Sequence, residues 1–207
     1  MKDQLPLVLA SASPRRSELL RAAGVDFSVE PVEVDEDLDG FRDPGIAAVE
    51  LALRKARAAA ARRRARASDS RAVCVLGADT IVAVQRRTGW SLLGKPLDAR
   101  DAERMLGLLS KTRHLVATGV AVVRTSDGAE RSGLERTFVT MRAITPGERA
   151  SYAASGEWRG KAGGYAIQET ADRFVVRLEQ GGFDNVVGLP VALALRLFSE
   201  LSGASAT

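Results

Sequence analysis

The chain has 207 residues, 30 of them Lys or Arg and 26 Asp or Glu, for a formal net charge of +4. With 45% hydrophobic and 27% charged residues and no long low-complexity tract, it is a globular chain with a core of ordinary size, which excludes a disordered or fibrous protein. The mild positive balance suits a small anionic ligand and does not by itself argue for nucleic acid.

In chain order, residues 7–10 read as a short buried strand and residues 14–23 as a helix closed by Gly24. Residues 27–34 alternate apolar and polar positions, the pattern of a second strand. Asp43 and Pro44 open an Ala- and Arg-rich helix over residues 45–67, and SDSR breaks it. AVCVLGADTIVAV, residues 72–84, is the clearest strand signal, and RRTGW is the turn into a hairpin partner. Asp98 caps a helix that ends near Leu109, with Asp101 at its third position. HLVATGVAVV pairs across the turn TSDG with LERTFVTMRAI. Thr145-Pro146-Gly147-Glu148 forms a capping box, and Gly156 closes the helix it opens. The glycine-rich GKAGGYAIQ precedes a strand in FVVRLEQ, GGFDNVVGL reads as a loop, and a last helix covers residues 190–201. Hairpins mixed with helices define an α/β chain with a mixed sheet and no internal repeat.

Cys74, the only cysteine, lies in an apolar run and excludes an intramolecular disulfide framework. The N-terminus lacks a signal-peptide pattern, and no apolar stretch approaches the roughly 20 residues of a membrane span. A soluble cytoplasmic protein is expected.

Several constellations carry chemistry. In LASASPRR, Ser13 suits an N-cap and Pro14 the first helical position, so Arg15 and Arg16 fall in the first turn. Cations there oppose the helix dipole, and a bound anion would reverse that sign. They are either solvated surface arginines or half of a phosphate site. Asp79 and Thr80 interrupt a buried strand, where a carboxylate needs a cation or hydrogen bonds; local N–H groups at a bulge are the simpler alternative. Glu33, Asp35 and Glu36 crowd EPVEVDE, either as a solvated acidic loop or, with Asp79, as ligands of Mg²⁺. Lysine is scarce beside arginine, and Lys55, Lys95 and Lys161 all fall near candidate site loops. RRRARA lacks interleaved aromatics in a chain only 5% aromatic, so a solvated helix end is preferred to a nucleic-acid patch. His114, the only histidine, has no nucleophile partner and reads as structural.

Together LASASPRR, VDE, LRKARA, LGADTIV, GKPLDARDAERML, HLVATGVAV, SGEWRGKAGGYAIQ and NVVGLPV resemble the Maf family of nucleoside triphosphate pyrophosphatases nearly end to end. GADT and GKAGGYAIQ are most similar to the branch acting on dTTP and UTP. The resemblance implies hydrolysis of the α–β phosphoanhydride to a nucleoside monophosphate and pyrophosphate, with a divalent cation, Mg²⁺ or Mn²⁺. It implies one elongated α/β domain over residues 1–207, with a mixed twisted sheet flanked by helices. A central cleft, as in the inosine triphosphate pyrophosphatase fold, and a homodimer belong to the same expectation. By the resemblance, Ser11, Arg15, Arg16, Lys55 and Lys95 hold the phosphates. Asp79 is the catalytic base, Glu36 and Asp79 place the metal, and Arg15, Thr80 and Gln168 read the base. Three features depart from the family pattern: Glu169 in place of a usual Gly, Phe183 in place of a common Tyr, and the arginine-rich insertion at residues 62–71. A non-catalytic alternative is a nucleotide- or nucleic-acid-binding regulator of cell division; a second alternative is an enzyme for a modified nucleotide. Neither a membrane nor a nucleic acid is an expected partner.

Overall fold

The computed structural model describes residues 4–66 and 71–203. Its organising element is a long strand, β3 (Cys74–Arg86), within a seven-stranded mixed sheet. β1 (Leu7–Leu9) lies parallel between β2 (Phe27–Val29) and β3. β5 (Arg113–Arg124), β6 (Glu130–Met141) and β7 (Val175–Glu179) extend the sheet antiparallel on the far side of β3. β4 (Gly89–Leu93) folds back on β3 as the hairpin that RRTGW announces.

One consequence of this register places the site. β1 pairs with β3 only at Cys74–Leu76, and β4 pairs with the same edge only at Val82–Arg86. Between them, residues 77–81 have no strand partner on that edge among the described residues. β1 runs toward this gap from one side and β4 from the other, so both end there. Open α/β sheets bind ligands at such a parting, outside the carboxyl ends of strands.

Side-chain alternation along β3 sorts its two faces. Val73, Val75 and Ile81 pack toward α2 (Pro44–Arg64), whose buried stripe is mostly alanine. Gly77 and Gly119 let that helix come close: a Cβ on Gly77 would lie 2.4 Å from the Ala52 carbonyl, and one on Gly119 2.2 Å from that of Ala48. Cys74, Leu76 and Ala78 face α6 (Val191–Ser202) and Leu20 of α1 (Pro14–Ala22). Val82 and Val84 pack with α3 (Ala99–Leu109) and α4 (Pro146–Ser155).

Three expected caps form, while Ser13 takes the N-cap position of its helix without a side-chain bond. Asp43 accepts from the N–H groups of Gly45 and Ile46, Asp98 from Asp101, and Thr145 with Glu148 completes a capping box. Cys74 is fully buried, and its thiol is pushed up to about 11 by burial.

Two expectations change. The strand expected over residues 27–34 stops at Val29, because Pro31 has no N–H to continue a ladder. Beyond it Asp35 and Asp37 each accept a backbone N–H two residues on, which turns the chain. GGFDNVVGL holds a short helix, α5 (Phe183–Val187), where a loop is expected. Its bonds are tertiary: Asn185 Nδ2 donates to Val116 O and Thr137 Oγ1, and Asp184 accepts from the N–H of Val191. A 3₁₀ turn at Thr170–Phe174 precedes β7. The second helix ends at Arg64 with Ala65 as its C-cap, short of the expected residue 67, and residues 68–70 of the SDSR break lie outside the described residues.

Candidate active site

The gap in the sheet opens into a cleft of about 540 Å³. Ser11, Arg15, Arg16, Glu36, Lys55, Asp79, Thr80, Lys95 and Gln168 all line it, so the structure brings every sequence-selected site residue to one place.

Asp79 and Thr80 are neighbours on one strand and therefore point to opposite faces. Asp79, 7% exposed, turns toward α2 and meets Lys55, itself 6% exposed. The close approach of α2 at Gly77 and Gly119 is what lets Lys55 reach it. Lys55 Nζ also donates to Glu36 Oε1 at 2.6 Å, and Lys95 Nζ binds the other Glu36 oxygen. The result is an alternating chain of Asp79, Lys55, Glu36 and Lys95. Burial alone would raise Glu36, but hydrogen bonds from Lys55 and Lys95, together with their charges, hold it down at about 2. Glu36 is thus a carboxylate at any ordinary pH. Glu33 and Asp35 are exposed and do not line the cleft, so of the three carboxylates singled out in EPVEVDE only Glu36 takes part.

Thr80 turns to the other face and meets Arg16 of α1. Arg16 is held by three neutral oxygens: Nε donates to Gly188 O at 2.8 Å, one terminal nitrogen to Ser11 Oγ at 3.2 Å and the other to Thr80 Oγ1 at 3.4 Å. Five N–H groups less three leaves two for a ligand. Burial lowers its pKa, opposed first by Asp79. Thr80 is braced by Thr118, which donates to Asn185 O on α5. Neither Arg15 nor Arg16 has a carboxylate ion-pair partner among the described residues. Ser13 occupies the N-cap position of α1 without a side-chain cap bond, and Ser11 Oγ accepts its N–H.

Arg159 and Lys161, on the segment after α4, complete the lining. Six cationic side chains thus face two carboxylates, a surplus matched to a polyphosphate. Sequence reasoning left Arg159 and Gly188 unselected. Gly188 carries a signal in its φ of +126°, which favours glycine, but its carbonyl acts only through the fold. The lysine argument does find Lys161.

His114 lies outside the cleft, fully buried with Nε2 2.9 Å from Tyr165 Oη. Of RRRARA, Arg63 and Arg66 pair with Glu30, and Arg62 donates to Pro31 O, so this helix end is tied to the chain after β2. No helix among the described residues is long and apolar enough to cross a membrane.

Comparison with known proteins agrees with this geometry. Residues 6–201 match the family model described as Maf-like protein. A dTTP/UTP pyrophosphatase of Moorella thermoacetica is 45% identical over 185 residues, 89% of each chain. Those of Caulobacter vibrioides and Sphingopyxis alaskensis are 44% and 46% identical, covering 94% of this chain and 95% and 96% of theirs. The chain belongs to the Maf family.

Proposed function

We propose that this enzyme is a nucleoside triphosphate pyrophosphatase that cuts the α–β phosphoanhydride of dTTP and UTP. The observation that carries the reading is that Asp79 and Glu36 share one cleft with Arg15, Arg16, Lys55, Lys95 and Arg159. Cations alone would suit a binder; a buried carboxylate facing phosphates weakens binding and is useful only to a reaction.

Arg15, Arg16, Lys95 and Ser11 hold the triphosphate oxygens, and Arg16 is preorganised for this by its three fixed acceptors. Asp79 accepts the proton of the water that attacks the α-phosphorus, and pyrophosphate leaves on the opposite side. Lys55 touches both Asp79 and Glu36, so it holds the base in place and adds charge against the leaving group.

Glu36 and Asp79 fit a hard divalent cation, because their oxygens converge on a single atom, Lys55 Nζ. No cluster of three or more His, Cys, Asp or Glu occurs among the described residues, so substrate oxygens and water would complete the shell. Such an ion, Mg²⁺ or Mn²⁺, would supply neutralisation of phosphate charge.

At the other end Gln168 offers both a donor and an acceptor to the edge that uracil and thymine share, an N3–H between two carbonyls. Arg15 and Thr80 stand beside the same path. The proposal places the reaction in the cytoplasm, where nucleoside triphosphates are made.

The test is a panel of nucleoside triphosphates with Mg²⁺ or Mn²⁺, assayed separately for pyrophosphate and orthophosphate. Pyrophosphate from UTP and dTTP is the expected product. Orthophosphate as the first product would overturn the cleavage site, and tight binding with no product would favour the regulator.

A further inference from the structure

Lys161 is a buried cation that the mechanism above does not use. It is 7% exposed and lines the cleft. Its Nζ donates to the backbone carbonyl of Glu157 and, at 2.8 Å, to Glu169 Oε2. Glu169 is the only carboxylate paired with it among the described residues. A buried ammonium that loses its one carboxylate is left with an uncompensated charge, so this pair is held strongly in place.

The two residues bracket the segment that presents Gln168. Lys161 stands at its start, and Glu169 follows Gln168 directly. Just beyond Glu169, the N–H and hydroxyl of Thr170 both donate to Glu157 Oε2, at 3.1 and 2.8 Å, so the latch acts on Gln168 between two tied points. Gln168 and Glu169 are exposed, and the backbone bond there is Glu169 N to Ala166 O at 3.2 Å. At the near end Gly163 N donates to Gly94 O, beside Lys95. Glu169 also bears on Arg15: burial lowers that guanidinium's pKa, and Glu169 is the first carboxylate opposing the fall.

We propose that Glu169, latched to Lys161, is a specificity-determining positioning residue that fixes Gln168 in the cleft. Glu169 does not line the cleft and touches no reacting atom. It acts by removing freedom from Gln168, so that the amide meets one base edge and rejects the reversed donor–acceptor pattern of cytosine. The latch rests on the pyrophosphatase reading.

The experiment compares kcat and KM for UTP and CTP in the wild type, Glu169→Ala, Lys161→Met and the double variant, with hydrogen exchange of residues 162–170 in the ligand-free protein. Because Glu169→Ala strands the Lys161 charge, the double variant, which removes both charges, serves as the folded reference. In Glu169→Ala the UTP/CTP ratio of kcat/KM is expected to fall by about tenfold, the scale of one charge-assisted hydrogen bond, with kcat for UTP kept within about twofold. Exchange in the segment should rise, and the double variant should be no less selective than the worse single one. An unchanged ratio in Glu169→Ala overturns the latch, as does an equal loss of kcat for both nucleotides. Wild-type protein that releases no pyrophosphate from any nucleotide overturns instead the reading on which it rests.

Discussion

Asp79 sits where a strand buries its carboxylate, yet it is not an isolated charge, because Lys55 reaches it from the helix above. Asp79→Asn keeps the shape and removes the proton acceptor. Turnover is expected to fall by about 10²–10⁴-fold, the usual contribution of a general base, while calorimetry still registers nucleotide binding. Near-normal pyrophosphate release by that variant would show that another group takes the proton. Arg15→Ala removes a charged donor and leaves Asp79 untouched. It should raise KM by about tenfold or more with a smaller change in kcat. Glu36 answers to pH in the opposite sense from a buried carboxylate without cationic partners. Its folded pKa, about 2, lies below the ordinary value, so the stability it contributes is present above about pH 4.5 and is lost as pH falls through 2. Its partial exposure keeps that contribution small.

Among the elements, α2 does the most positioning. Its alanine stripe and the glycines beneath it are one device: without Cβ atoms at residues 77 and 119, the helix sits close enough for Lys55 to bridge Asp79 and Glu36. Gly119→Ala would set a methyl group against the Ala48 carbonyl, so the helix must move away from the sheet. Overpacking of this kind costs about 1–3 kcal/mol, or a fall of several degrees in melting temperature for a chain this size. Calorimetry checks that, and an accompanying drop in kcat would show Lys55 displaced. On the opposite face α5 is held by Asn185 and supports Thr80 through Thr118, while Gly188 just beyond it supports Arg16.

For the molecule as a whole, the one histidine gives a clean probe of pH. His114 is fully buried, and burial pushes its pKa down to about 3. Below about 6.5 the unfolded chain takes up a proton that the folded chain refuses, so stability declines as pH falls from about 6.5 toward 3. Between about pH 6 and 5 most carboxylates stay ionised in both states, and the decline belongs to His114. It should approach about 1.4 kcal/mol per pH unit, read from urea midpoints, and His114→Gln should flatten it. A decline of equal slope in that variant would assign it to other groups.

The caps, the hairpins and the site residue types could be read from local signals. Asp98, Thr145 with Glu148, and Pro14 act on backbone groups within a few residues, so their effect needs no fold. Arg15 and Arg16 in a first turn, and Asp79 in an apolar strand, were conspicuous because each breaks a local rule of electrostatics or burial. What a local signal cannot carry is the distance between segments. Alternation persists past Pro31 although the strand does not, and α5 leaves no local signal because its bonds run to β5 and β6. Likewise the gap between β1 and β4 exists only once both strands have paired with β3. Sequence alone thus determined which residues could do phosphate chemistry, since that depends on residue type and neighbours. The tertiary structure alone decided that Lys55 meets Asp79, that Gly188 orients Arg16 and that Lys161 latches Glu169, since each joins groups whose proximity is set by packing.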